Sequence, residues 1–196
     1  MKKLIGSELI KTAIFISGTG TNLKNLILFS KKNISPISID LIISNNKNAK
    51  GLIYSNKYNI QKKIINFNNN FVADQKILNL LNERKIKLIC LAGFMKIISK
   101  NFLKKFNGTV INIHPSLLPK YKGLNTHKRV IKNKEKFTGC SVHYVTEKLD
   151  AGKIIIQKKI KIKANDTEIT LSKKVLKMEH KIYPIGILKA IDQSLK

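Results

Sequence analysis

Two stretches of this sequence carry side chains suited to moving an acyl group. The first is Val110-Ile111-Asn112-Ile113-His114-Pro115, an apolar run that places an amide and an imidazole two residues apart. On a β-strand, side chains at that spacing project to one face, so Asn112 and His114 point together while Ile111 and Ile113 face the core. An amide N–H can stabilise an oxyanion developing on a carbonyl oxygen, and an imidazole can manage the accompanying proton. Turn formation at a strand end would use the same two residues equally well. The second stretch is Leu149-Asp150-Ala151-Gly152. A carboxylate beside an imidazole raises its proton affinity and fixes its orientation, which makes Asp150 the natural partner of His114. An Asx-type turn is the alternative, and sequence separation alone does not place Asp150 near His114.

A third stretch, Ser17-Gly18-Thr19-Gly20-Thr21-Asn22, follows an apolar run and precedes a helical pattern. Glycines there allow a tight turn and close approach of a ligand, and the N–H groups of the following helix form an anion site. A dinucleotide fingerprint would require a third glycine where this chain has Leu23, so NAD is disfavoured and a phosphate monoester fits better. A plain turn before a helix explains the same residues.

The elements that position these residues alternate in type. Strands are expected over Thr12–Ile16, Ile37–Ile43, Lys63–Phe67, Leu88–Ala92, Thr109–Ile113, Cys140–Val145 and Ile154–Ile162. Helices are expected over Leu23–Ser30, Ala49–Tyr58, Phe71–Glu83, Lys100–Phe106, Thr126–Asn133 and from Glu168 onward, the last capped by Thr167 or Asp166 and kinked or restarted at Pro184. The alternation implies an α/β domain with a mostly parallel sheet and helices on both faces. The TEKLDAGK link between the last two strands is too short for a crossover helix, so that edge should be antiparallel. No linker or composition shift divides the chain, and a single domain over residues 1–196 is expected. Open α/β sheets bind ligands beyond the carboxyl ends of their strands, where one cleft would collect Ser17–Asn22, Gly93–Ile98, Asn112–Pro119 and Thr146–Asp150.

Composition narrows the function classes. A hydrophobic share of 43% fits a folded globule and argues against disorder. No apolar run reaches the roughly 18 residues of a membrane span, and the opening MKKLIGSELI is too short and too interrupted for a signal peptide, so a cytoplasmic protein is expected. Cys90 and Cys140 sit in apolar runs without CxxC or Cys/His spacing, which reads as two buried thiols and no metal site. The charge of +27, from 38 Lys+Arg against 11 Asp+Glu, raises nucleic-acid binding. The lysines are scattered through every segment, however, alongside abundant Ile and Asn, which favours compositional bias over a binding footprint.

Taken together, SGTGTN, LAGFMKIIS, INIHPSLLPKYKG, GCSVHYVTEKLDAG and MEHKIYP resemble the glycinamide ribonucleotide (phosphoribosylglycinamide) formyltransferase family, in its order and spacing, from Thr12 onward. The resemblance implies the Rossmann-like formyltransferase fold. It also implies transfer of a formyl group from 10-formyltetrahydrofolate, as co-substrate, to the amine of 5-phosphoribosylglycinamide in de novo purine (IMP) biosynthesis. The products would be formylglycinamide ribonucleotide and tetrahydrofolate. The family's catalytic trio falls on Asn112, His114 and Asp150. Gly20, Thr21 and Asn22 would hold the substrate phosphate, and Glu179 its glycinamide or ribose end. Met95, Lys96, Ile97, Ile98 and Asn112 would meet the folate, with Thr146, Glu147, Lys148, Leu149 and Asp150 closing over it. No metal, nucleic acid or membrane is implied, and either a monomer or a homodimer is compatible.

The chain departs from the family's pattern in several places. Asn68-Asn69-Asn70 stands where an arginine is frequent, Asn125 where the family has His, and Lys96 where Arg is frequent; the chain also starts a few residues early. His127 and His143 read as structural. Methionyl-tRNA formyltransferases typically show HASLLP where this chain has His114-Pro115-Ser116. They also require a second, tRNA-binding domain, and formyltetrahydrofolate deformylases an extra leading one, for which this length leaves no room. A nucleic-acid-binding module without catalysis would instead cluster its lysines on one face and bind RNA or DNA with strong salt dependence.

Overall fold

The computed structural model describes residues 8–194; the early start and the last two residues lie outside the described residues. The elements run in strict alternation at first: β1 (Ile10–Ile16), α1 (Thr21–Ser30), β2 (Ile37–Ser44), α2 (Ile53–Tyr58), β3 (Gln61–Ile64), α3 (Asn70–Glu83), β4 (Leu88–Leu91), α4 (Lys100–Lys105) and β5 (Thr109–His114). Then come α5 (Thr126–Lys132), β6 (Phe137–Tyr144), β7 (Ile154–Lys161) and α6 (Glu168–Ser194). The strands form a seven-stranded sheet in the order β3-β2-β1-β4-β5-β6-β7. The chain resolves into two compact units, one ending at Ile111 and the other beginning at Asn112, so the division falls inside β5.

In the first unit β1 is central, parallel to both β2 and β4, with β2 parallel to β3. A strand flanked on both edges and covered on both faces must be apolar throughout, and Ala13, Ile14, Phe15 and Ile16 are all fully buried. Burial of each such large side chain contributes about 1.5–3 kcal/mol. Right-handed crossovers that run outward from β1 in opposite directions put α1 and α2 on one face and α3 and α4 on the other, and α1 touches α2 as α3 touches α4. Asn69 caps α3 by accepting from Val72 N–H at 3.1 Å. Strand β3 is displaced from the expected Lys63–Phe67, as β6 begins three residues before the expected Cys140 and α2 four after the expected Ala49; β3 ends at Ile64, while Ile65 and Phe67 are buried beyond it. Ile65 N–H still donates to the Ser44 carbonyl at 2.9 Å, and the two side chains belong to the core.

In the second unit β6 and β7 are antiparallel, with a register shift between Val142 and His143. Helix α6 packs on both strands and meets α5. Thr167 starts it by accepting from Thr170 N–H at 3.2 Å. The helix does not restart at Pro184: α6 runs unbroken from Glu168 to Ser194 with Pro184 inside it. Ile182, Tyr183 and Ile187 are almost completely buried on either side, and that packing holds the helix through the missing hydrogen bond.

Candidate active site

β5 carries Asn112 and His114 to its carboxyl end on one face, as two-residue spacing requires. The β6–β7 connection brings Asp150 against them: His114 Nδ1 lies 3.3 Å from Asp150 Oδ2. His114 Nε2 donates to the Tyr121 carbonyl at 2.9 Å, because a carbonyl can only accept. Its Nε2 proton is thereby fixed, leaving Nδ1, opposite the carboxylate, as the position that gains and loses a proton.

His143 joins this group, although its sequence context suggested a structural histidine. Its Nδ1 donates to the Tyr144 carbonyl at 2.8 Å, which leaves Nε2 to accept from Asn112 Nδ2 at 3.1 Å. The same Nε2 is 3.6 Å from Asp150 Oδ1. One N–H of the Asn112 amide is thus spoken for and the amide plane is set, so the other N–H has a defined direction. His143 acts as a positioning residue, and its signal in the sequence was a polar side chain in an apolar strand beside the Asp150 hairpin. Two further contacts are made by backbone, the Tyr121 carbonyl and the Gly123 N–H, which donates to Asp150 Oδ2 at 2.8 Å.

The electrostatics separate the pair. Burial pushes the His114 pKa below its ordinary value, against the Tyr121 hydrogen bond and the Asp150 charge, which pull it up. Burial also pushes Asp150 upward, but the His143 ring, the Gly123 N–H and the facing imidazoles hold its carboxyl at about 2. At neutral pH a carboxylate therefore faces a neutral imidazole whose bare nitrogen is poised to accept a proton.

The first unit holds the phosphate-loop residues. Gly20 caps α1 at φ 71°, with no side-chain cap and no acidic residue in the first turn. The positive end of the helix dipole is therefore not answered by an acidic residue of its own first turn. Thr21 and Asn22 open the helix, Asn22 buried. A Cβ on Gly20 would lie 2.5 Å from Gly51 Cα, so the loop and the short 3-10 turn at Lys50–Leu52 are closely packed. Gly20→Ala is expected to cost about 2 kcal/mol or more, from left-handed strain and collision, and to lower the melting temperature by roughly 4–8 °C. Gly18→Ala, where a Cβ meets nothing within 4 Å, should melt as the parent does.

Ser17 ties this loop to the segment after β4. Its hydroxyl accepts from Met95 N–H at 2.7 Å and donates to Asn45 Oδ1 at 2.5 Å, while its N–H donates to Gly93 at 3.1 Å. β1 and β4 are where the strand order reverses, the place at which open α/β sheets bind ligands. Met95 and Ile97 are 62% and 67% exposed there, Lys96 is exposed, and Ile98 is buried. Two large apolar side chains held out on an anchored loop offer surface that a flat ligand would cover. In the second unit Thr146, Glu147, Lys148 and Leu149 form an exposed turn closed by Ala151 N–H on the Lys148 carbonyl. Glu179 is buried on α6; burial of the Cys140 thiol, with the Glu179 charge adding to it, pushes that thiol up to about 12. Among the described residues no cluster of His, Cys, Asp or Glu is arranged to hold a metal, and no helix is long and apolar enough to cross a membrane.

The profile of the formyl transferase family matches residues 10–187. The chain belongs to the formyl transferase family. It is 39% identical to the phosphoribosylglycinamide formyltransferase of Haemophilus influenzae over 90% of this chain and 85% of that one. It is 42% identical to the trifunctional purine biosynthetic protein adenosine-3 of Gallus gallus over 93% of this chain, spanning only 18% of that longer protein. Among solved structures, the phosphoribosylglycinamide formyltransferase of Coxiella burnetii superimposes with a TM-score of 0.86 at 41% identity, covering 93% of this chain and 86% of that one.

Two of the departures from the family's pattern have physical roles here. Within Asn68-Asn69-Asn70, Asn69 serves as the α3 cap. Asn125 occupies a left-handed position, φ 56°, at the start of α5, a conformation asparagine tolerates better than most residues.

Proposed function

We propose that this formyltransferase domain moves a formyl group from 10-formyltetrahydrofolate to the amine of 5-phosphoribosylglycinamide, within purine biosynthesis. The observation that carries the reading is the assembly of Asn112, His114 and Asp150 within hydrogen-bonding reach, completed by His143. The folate would supply the formyl group. Exposed Met95 and Ile97, on a loop tethered by Ser17, fit an aromatic ring system laid against them, and the uncapped α1 terminus fits a phosphate monoester.

Within this assignment each side chain has one task. The outward N–H of Asn112 donates to the formyl oxygen as negative charge gathers there during attack by the amine. Nδ1 of His114 takes the proton that the amine sheds as its bond to the formyl carbon forms. The resulting imidazolium is held by Asp150, and the proton is then returned to the departing nitrogen. Asp150 stays ionised throughout. His143 holds the Asn112 amide in register and passes no proton. Gly20, Thr21 and Asn22 take the substrate phosphate, Glu179 its glycinamide or ribose end, and Thr146–Asp150 close over the folate. The chain is proposed to act as one domain over residues 1–196, in the cytoplasm, as a monomer or homodimer, with small molecules and not nucleic acid as its partners and without a metal.

Binding of a non-transferring deaza analogue of the formyl folate tests the donor assignment. Micromolar binding by calorimetry, weakened about tenfold or more by Ile97→Asp, which adds a charge to the apolar contact surface, is the expected result. No binding by the parent protein would exclude a folate donor.

A further inference from the structure

The segment from Tyr121 to Asn125 lies between β5 and α5, and Tyr121, Gly123 and Asn125 in it take left-handed backbone at φ 58°, 74° and 56°. Its backbone serves two sets of partners. Towards the site, the Tyr121 carbonyl accepts from His114 Nε2 at 2.9 Å and the Gly123 N–H donates to Asp150 Oδ2 at 2.8 Å. The Lys122 and Leu124 carbonyls instead accept from a single atom, Nη1 of Arg129, the first at 2.6 Å and the second at a longer 3.4 Å.

The Lys122 carbonyl and the Gly123 N–H belong to one peptide unit. That unit is planar and trans, so the two groups point in opposite directions, and fixing the carbonyl fixes the direction of the N–H. A cationic donor on the carbonyl also polarises the unit, which strengthens its N–H as a donor to a carboxylate. Arg129 is well placed for this, because side chains of a helix lean towards its N-terminus and so over the segment that precedes α5. Its guanidinium carbon lies 5.3 Å from the Tyr121 ring centroid, and the Tyr121 hydroxyl donates to Glu135 at 2.9 Å and accepts from Asn133 at 3.0 Å. An exposed arginine is ordinarily a solvated charge; backbone carbonyls and an anchored aromatic face give this one a fixed place.

We infer that Arg129 is a positioning residue for the reaction: it holds the Lys122–Gly123 peptide in the orientation in which the Gly123 N–H binds Asp150, the carboxylate that faces His114. The hold on the peptide is independent of the formyl-transfer reading; its effect on turnover rests on that reading.

The test compares the full chain with Arg129→Met, which keeps an unbranched side chain but loses the donor, and Arg129→Lys, which restores a charged donor. The position is exposed, so both variants should melt close to the parent. In Arg129→Met, NMR of the isotope-labelled chain is expected to show the Gly123 amide proton moved upfield and exchanging with solvent about tenfold faster or more. Its kcat should fall about tenfold, while KM for phosphoribosylglycinamide stays within about twofold. Arg129→Lys should bring both readouts back to within about threefold of the parent. A Gly123 amide unchanged in Arg129→Met would overturn the hold, and a released amide with parental kcat would overturn its part in the reaction. Losses that Arg129→Lys leaves unrepaired would assign Arg129 to packing and overturn the donor role. A parent chain without formyl transfer would overturn the reading of the reaction, and the amide alone would then decide the hold.

Discussion

His114→Ala is expected to fold and melt close to the parent protein while its kcat for formyl transfer falls by about two to four orders of magnitude. That is the range that removal of a positioned proton-transfer group costs. The side chain is buried, but its polar partners are the Tyr121 carbonyl and the Asp150 carboxylate, so the loss should be chiefly kinetic. Steady-state kinetics beside a thermal melt separates the two. A variant that melts normally and keeps kcat within about threefold would remove His114 from the reaction.

Asp150→Asn carries the second large effect. The shape is kept and Gly123 N–H still finds an oxygen, but the charge facing His114 Nδ1 is gone. Turnover is expected to fall by about two to three orders of magnitude, and the His114 titration to move to lower pH, since the carboxylate is one of the influences raising it. Stability should respond as well. A carboxyl held at about 2 when folded, against roughly 4 when unfolded, contributes about 2 kcal/mol at neutral pH, lost as pH falls from about 4 towards 2. His114, lowered in the fold, binds its proton more readily when unfolded, so it also destabilises the protein as pH falls through about 6.5. Urea unfolding across pH should therefore show both losses in the parent and a smaller acid-side loss in Asp150→Asn, where Asp166 and Glu135 are still held below their ordinary values. A kcat unchanged in the variant would confine Asp150 to a structural turn.

The alternation of apolar runs made the strands and the antiparallel edge legible, because a sheet covered on both faces leaves its strands as continuous Val/Ile/Leu segments. The same logic misplaced β3, where Ile65 and Phe67 are buried past the end of the strand. Pro184 was read locally, yet tertiary burial of Tyr183 and Ile187 carries α6 past it. Asn112 and His114 were visible as types at strand spacing, and Asp150 as a carboxylate in the link between the last two strands. The parts that orient them were less so: Tyr121 and Gly123 act through backbone atoms, which any residue supplies. His143 lies on a strand remote in sequence from Asn112, and only pairing of the folded elements brings the two rings and the amide together.

The most direct test follows consumption of 10-formyltetrahydrofolate, or a transferable deaza analogue, with and without 5-phosphoribosylglycinamide. The account predicts turnover only with the amine present, yielding formylglycinamide ribonucleotide in equal amount to the tetrahydrofolate released. Breakdown of the folate at the same rate without the amine would make the protein a deformylase and contradict it, and the absence of any reaction would contradict formyl transfer altogether.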